Sequence, residues 1–151
     1  MESVEIVAEQ GSIAYWSDKR VLVTGASGMV GSWLTRWLAE SGAYTVAFIA
    51  DSDPQSELMR SGTINKVNVV NGRLENYDDI ERAINNHEVD SIFHLGAQPI
   101  VGAADRAPRH TFESNIQGTW NLLDACRTLS PLVKRIVVAS SDTDACHPRT
   151  L

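Results

Sequence analysis

Apolar residues fall into two rhythms along the chain. Short, nearly continuous runs occupy residues 21–23, 44–50, 67–70, 89–95 and 135–139. Between them, apolar residues recur every three or four positions: Val30, Trp33, Leu34, Trp37 and Leu38, then Tyr77, Ile80, Ala83 and Ile84, then Phe112, Ile116, Trp120, Leu123 and Cys126. Continuous short runs predict strands buried on both faces, and the wider spacing predicts helices with one apolar face. The punctuation agrees. Gly42 sits where a helix C-cap belongs, Asn76 can cap the helix that follows it, and Pro108 opens a long helix that ends before Pro131. Ser52-Asp53-Pro54-Gln55 is turn chemistry, after which residues 55–60 predict one short helix that Ser61-Gly62 breaks. The stripe from Phe112 to Cys126 is expected to pack into the core.

The resulting order is βαβ(α)βαβαβ, without repeats or low-complexity segments. Right-handed crossovers then demand a parallel sheet with helices on both faces, so the expected fold is an α/β, Rossmann-type doubly wound sheet of strand order 3-2-1-4-5. Residues 19–142 are read as this domain, 1–18 as a lead-in and 143–151 as an atypical tail. In the lead-in, Tyr15 and Trp16 either pack against the domain edge or belong to a partner-binding arm.

Chemistry concentrates where the strands end. The first strand runs into Thr24-Gly25-Ala26-Ser27-Gly28-Met29-Val30-Gly31, with glycines three residues apart ahead of an amphipathic helix. Such a turn brings backbone N–H groups and a helix N-terminus to a diphosphate without a cluster of lysines. The second strand ends on Asp51, about twenty residues past the glycines, the place of an acid that holds an adenosine ribose. An acid there repels a 2′-phosphate and favours NAD over NADP. Asn71-Gly72-Arg73-Leu74 and Gly96-Ala97-Gln98-Pro99 follow the third and fourth strands, where doubly wound sheets place ligands. Asn115, beside the apolar stripe of the long helix, either bonds a neighbouring loop or bridges to the site through water.

A net charge of -6 argues against a nucleic-acid surface. No run is long and apolar enough to span a bilayer, and residues 1–10 lack the basic start and apolar middle of a signal peptide, so a cytoplasmic protein is the simplest reading. Cys126 and Cys146 have neither metal nor disulfide spacing, and a zinc site from His94, His110, His147 and Cys146 is disfavoured for the same reason.

These stretches together resemble the extended short-chain dehydrogenase/reductase superfamily of NAD-dependent epimerases and dehydratases. The carrying residues are Thr24 to Leu34, Phe93 to Pro99, Glu113 to Thr119, Asn121 to Ala125 and Ser140-Ser141-Asp142, covering roughly residues 16–142. Within it the chain looks most like the nucleotide-sugar 4,6-dehydratases acting on CDP-glucose or GDP-mannose. That resemblance implies a held NAD, oxidation at the sugar's C4, loss of water across C5 and C6, and hydride return to C6. It implies that Gly25, Ser27, Gly28, Met29, Val30, Gly31, Asp51, Arg73, Leu74, Leu95, Gly96, Ala97, Gln98 and Asn115 form the cofactor site. Ser141 then matches the residue bonding the sugar's O4, and Asp142 the acid that protonates the leaving C6 hydroxyl. A sugar epimerase or reductase of the same superfamily, and a non-catalytic NAD-binding module, are the alternatives. Pairing of two copies through the helix near residues 105–129 is a further implication.

Three departures qualify the resemblance. Arg73 stands where the family carries an adenine-contacting Asp, and is free to stack on the ring or to meet a phosphate. After Asp142 the run Thr143-Asp144-Ala145-Cys146-His147-Pro148 lacks the family's base and Tyr-Gly pair. The family's Tyr-x-x-x-Lys pair belongs on a later helix and is read as absent. The expectation is therefore the cofactor half of a longer enzyme, with strand 5 as an open edge, binding NAD without turning over.

Overall fold

The computed structural model describes residues 14–140. Five parallel strands form one sheet in the order β3-β2-β1-β4-β5. They are β1 (Arg20–Thr24), β2 (Tyr44–Ile49), β3 (Asn68–Asn71), β4 (Ser91–His94) and β5 (Arg135–Val138). The helices are α1 (Met29–Glu40), α2 (Glu57–Arg60), α3 (Tyr77–Asn86), α4 (Val101–Arg106), α5 (Pro108–Phe112) and α6 (Gly118–Thr128), with a π-helical segment, Glu113–Gln117, joining the last two. A 3-10 turn, Thr63–Asn65, precedes β3. The expected sheet and strand order are present.

Alternation along β1 divides the interior into two cores. Leu22 faces one, with Val46, Phe48, Ile80, Ile84, Ile92 and Leu122, beneath α3 and α6. Val21 and Val23 face the other, with Ala47, Ile49, Leu38 and Leu58, beneath α1 and α2. All three β1 side chains are fully buried, each contributing about 1.5–3 kcal/mol. Trp16 docks on the second core with its ring centroid 5.6 Å from that of Phe93, so this part of the lead-in packs on the domain. Asn76 caps α3 by accepting the Asp78 N–H at 3.1 Å, as expected.

Two predicted faces need correction. In α1 the buried residues are Gly31, Ser32, Thr35 and Leu38, while Val30 and Trp33 are exposed. The helix lies so close to the sheet at its start that only small side chains fit beneath it. In the long helix, Phe112, Ile116, Trp120 and Leu123 are exposed rather than core residues, and the inward face is Gly118, Asn121, Leu122, Ala125 and Cys126. A Cβ on Gly118 would stand 2.7 Å from Leu74 Cβ, so the chain end of β3 presses directly on this helix and excludes large groups. The π segment adds a residue to one turn, rotating whatever precedes it by about 100° relative to α6. Cys126 is the member of the predicted stripe that is buried, and burial pushes its thiol up to about 11.

Among the described residues, β5 forms one sheet edge, with Ile136, Val137 and Val138 exposed. No helix among the described residues is long and apolar enough to cross a membrane.

Candidate dinucleotide site

The carboxyl ends of β1 to β4 open into a cleft of about 460 Å³. Its floor is the turn after β1. Gly25 takes φ +68°, and a Cβ there would lie 2.8 Å from the Cα of Gly96, so the turn is wedged against the end of β4. The Gly28 N–H donates to the Gly25 carbonyl at 2.9 Å, tightening the loop before α1 starts. Gly31 stacks on that same carbonyl, and a Cβ would overlap its oxygen and sit 2.8 Å from its carbon. The glycine spacing thus lets the first turn of a helix sit directly on the turn that feeds it.

What the loop offers is unspent hydrogen-bonding capacity. Gly28 at the N-cap provides no side-chain cap, and no acid stands in the first turn. Among the described residues, the N–H groups of Met29, Val30 and Gly31 have no partner. Three free donors and the positive end of a three-turn helix make a site for an anion.

The far wall is held by a buried polar chain. Thr24 Oγ1 accepts the N–H groups of Leu95 at 3.2 Å and Gly96 at 3.0 Å. Its lone pairs thus engaged, its own hydrogen points to His94 Nδ1, 2.8 Å away. His94 must then carry its proton on Nε2, which lies 3.0 Å from Thr119 Oγ1, and Thr119 in turn donates to the Asn115 carbonyl at 2.7 Å. His94 is 4% exposed, and burial holds its pKa below the ordinary imidazole value, in keeping with this neutral tautomer. The Asn115 side chain closes the chain, accepting the Gln98 N–H at 2.6 Å and donating to the Gln98 carbonyl at 3.2 Å. The strand-4 loop is therefore clamped from both ends, and the π segment presents the Asn115 amide to it.

Every residue expected in the cofactor site lines this cleft except Asn115, which stands behind it and positions Gln98. Phe48, Gly72, Glu75, His110 and Ser114 also line it and were not foreseen. Gly72 and Ser114 lie inside the Asn71–Leu74 and Glu113–Thr119 motifs. Phe48 carried no signal, because its place in β2 reads only as core.

The family model described as the NAD dependent epimerase/dehydratase family matches residues 21–146, most of the chain. This chain belongs to the NAD-dependent epimerase/dehydratase family. Among relatives of the family, it is 30% identical over 129 residues to CDP-glucose 4,6-dehydratase of Salmonella typhimurium, covering 85% of this chain and 36% of that protein. It is 27% identical to a UDP-glucose 4-epimerase of Pisum sativum, covering 89% of this chain and 40% of that one. The solved Thermus thermophilus UDP-glucose 4-epimerase, in complex with NAD, superposes with a TM-score of 0.69 at 30% identity, over 81% of this chain and 37% of the other. The chain thus spans somewhat over a third of the length of these relatives.

A Tyr-x-x-x-Lys spacing, expected to be absent, is present in the chain as Tyr15-Trp16-Ser17-Asp18-Lys19. It precedes β1, where the Lys19 carbonyl accepts the Tyr44 N–H at the start of β2, so it lies at the amino ends of the strands, opposite the cleft. Lys19 pairs with Asp18 at 2.9 Å, and its ammonium stands 5.3 Å from the Tyr15 ring centre. The pair cannot reach a ligand in the cleft. Ser141 and Asp142, with Cys146 and His147, lie outside the described residues. His94 is spent on its two threonines, and among the described residues no group of three metal-ligating side chains gathers.

Proposed function

We propose that residues 19–142 bind NAD and form the cofactor part of a cytoplasmic nucleotide-sugar 4,6-dehydratase. The observation that carries the binding is the uncapped start of α1, whose three free N–H groups open on the same cleft as Asp51. Met29, Val30 and Gly31 would hold the diphosphate, and Asp51 the adenosine ribose hydroxyls. The loop of Leu95 to Gln98 would line the nicotinamide side. When bound, NAD supplies a hydride acceptor that later returns the hydride.

The dehydratase reading is supported by the similarity to CDP-glucose 4,6-dehydratase and by Ser140-Ser141-Asp142 following β5. In this reading Ser141 bonds the sugar's O4. Asp142 gives a proton to the C6 hydroxyl, which is otherwise a poor leaving group. A 4-epimerase is the second reading, favoured by the epimerases among the relatives. It calls for no acid at position 142. The exposed Ile116, Trp120 and Leu123 support pairing of two copies through this helix.

Titrating NAD into the purified chain and following intrinsic tryptophan fluorescence tests the cofactor reading. Saturable binding is expected, and none at millimolar NAD overturns it. Product analysis after incubation with NAD and CDP-glucose tests the reaction. A full-length protein carrying this segment should release a 4-keto-6-deoxy sugar nucleotide, and a C4-inverted sugar instead would favour the epimerase.

A further inference from the structure

The adenosine end of the cleft carries an arrangement of charges that the NAD reading leaves unexplained. Ile49 and Asn71 are the last paired residues of β2 and β3, so Asp51 and Arg73, each two positions further on, leave the sheet level with one another. Both line the cleft, and Arg73 is the one permanently charged cation among its described lining residues. Among the described residues, Arg73 nevertheless pairs with neither Asp51 nor any other group across the cleft. Its Nε lies 3.6 Å from Glu75 Oε2, on the next turn of the same loop. The guanidinium is 60% exposed, while Glu75 is 21% exposed and thus the more fixed partner.

The loop that sets this pair is itself rigid. The Arg73 N–H donates to Asp79 Oδ2 at 3.1 Å, and the Arg73 carbonyl accepts the Asn76 N–H at 3.1 Å. Asn121 Nδ2 donates to the Leu74 and Glu75 carbonyls at 3.0 and 3.1 Å. All these bonds use main-chain atoms of residues 73–75, so among the described residues the Glu75 side chain acts on Arg73 alone.

We propose that Glu75 is a cofactor-specificity residue: by occupying Arg73 it withholds from the adenosine end the cation that would meet a 2′-phosphate. The inference rests on the reading of the cleft as an NAD site. With Arg73 engaged, Asp51 meets the ribose uncompensated and a phosphorylated ribose is repelled. With Glu75 neutral, the long arginine side chain is free to swing toward the position level with it, next to Asp51. A guanidinium there offers paired donors in the geometry that a phosphate accepts.

The test is the ratio of NADP to NAD dissociation constants for the full 151-residue chain, measured by calorimetry for the wild type, Glu75→Gln, Arg73→Ala and the double variant. The wild type should prefer NAD. Glu75→Gln should narrow the preference about fivefold by tightening NADP, the upper range for releasing a partly exposed ion pair. NAD affinity should stay within about twofold, which also reports an intact fold. The double variant should return to the wild-type ratio, because the gain needs the arginine. An unchanged ratio in Glu75→Gln, or a gain that survives loss of Arg73, overturns the proposal while leaving the NAD site standing. A wild type that binds neither dinucleotide overturns both.

Discussion

Replacing Thr24 by valine keeps the shape of a fully buried side chain and removes one hydroxyl. Three groups lose a partner at once. His94 Nδ1 loses its donor in a residue that is 4% exposed, a cost of about 1–3 kcal/mol for a buried acceptor left unpaired. The Leu95 and Gly96 N–H groups lose their acceptor, but these residues are half-buried, so water recovers part of each bond and the cost is about 0.5–1.5 kcal/mol apiece. The methyl that replaces the hydroxyl returns at most about 1 kcal/mol. The net expectation is a loss of about 3 kcal/mol, which lowers a urea midpoint by about 1.5 M when m is near 2 kcal/mol/M. Thr24→Ser, which keeps the hydroxyl, should lose less than about 1 kcal/mol. Urea unfolding followed by tryptophan fluorescence measures both variants. A Thr24→Val chain within about 0.5 kcal/mol of the wild type would show that the hydroxyl is not shared by these three groups, and the tautomer deduced for His94 would fall with it.

Gly31→Ala places a methyl against the Gly25 main chain, which cannot yield without moving the loop, so both thermal stability and NAD affinity should drop sharply. Gly28→Ala, whose Cβ would meet only the Gly25 oxygen at 3.1 Å, should be milder, and equal effects in the two would count against the stacked-turn geometry. Asn115→Ala removes both bonds to Gln98 and should cost about 1–2 kcal/mol, with faster amide hydrogen exchange across residues 96–100; unchanged exchange there would contradict a clamping role. His94 also predicts a pH effect. Its folded pKa lies below the ordinary 6.5, so below pH 6.5 the unfolded chain takes up a proton that the folded chain refuses. Stability should therefore be full above pH 6.5 and fall toward the folded pKa by at most about 1.4 kcal/mol per pH unit. The slope of unfolding free energy against pH should flatten in His94→Gln, and an equal slope in both proteins would refute the assignment.

The fold was readable because each element obeyed its own period and carried its own stops. Val21 to Val23 could hardly be anything but a doubly buried strand, and Asn76 and Gly42 marked helix ends through local chemistry. What misled was the assumption that the largest apolar residues mark the buried face. Trp33 and Trp120 are exposed because the inward positions beside them, Gly31 and Gly118, meet the neighbouring chain too closely for a larger side chain at that turn. That closeness is a tertiary fact: Gly118 faces Leu74, more than forty residues away in sequence. The π turn that shifts the helix phase has no periodic signature in one sequence. In the cleft, glycines and Asp51 were legible from spacing. Glu75 and Phe48 were not, because their roles arise from the pairing of β2 with β3.

The division of labour inside the cleft follows from these contacts. At the end of the cleft proposed for the diphosphate, the donors are main-chain N–H groups of Met29, Val30 and Gly31, which no substitution other than proline can delete. Their direction can be lost, however, and it depends on Gly31 stacking on Gly25 and on Gly25 being wedged against Gly96. Gly96 is in turn held by Thr24, Thr24 by His94, and His94 by the helix that carries Asn115. Affinity for a dinucleotide should therefore track the integrity of a buried polar chain that never touches it. A variant of His94 or Thr119 with no direct contact to the cofactor should weaken binding by loosening the strand-4 loop. The same variant should leave the discrimination between NAD and NADP alone, because the proposed determinants, Asp51, Arg73 and Glu75, stand at the other end.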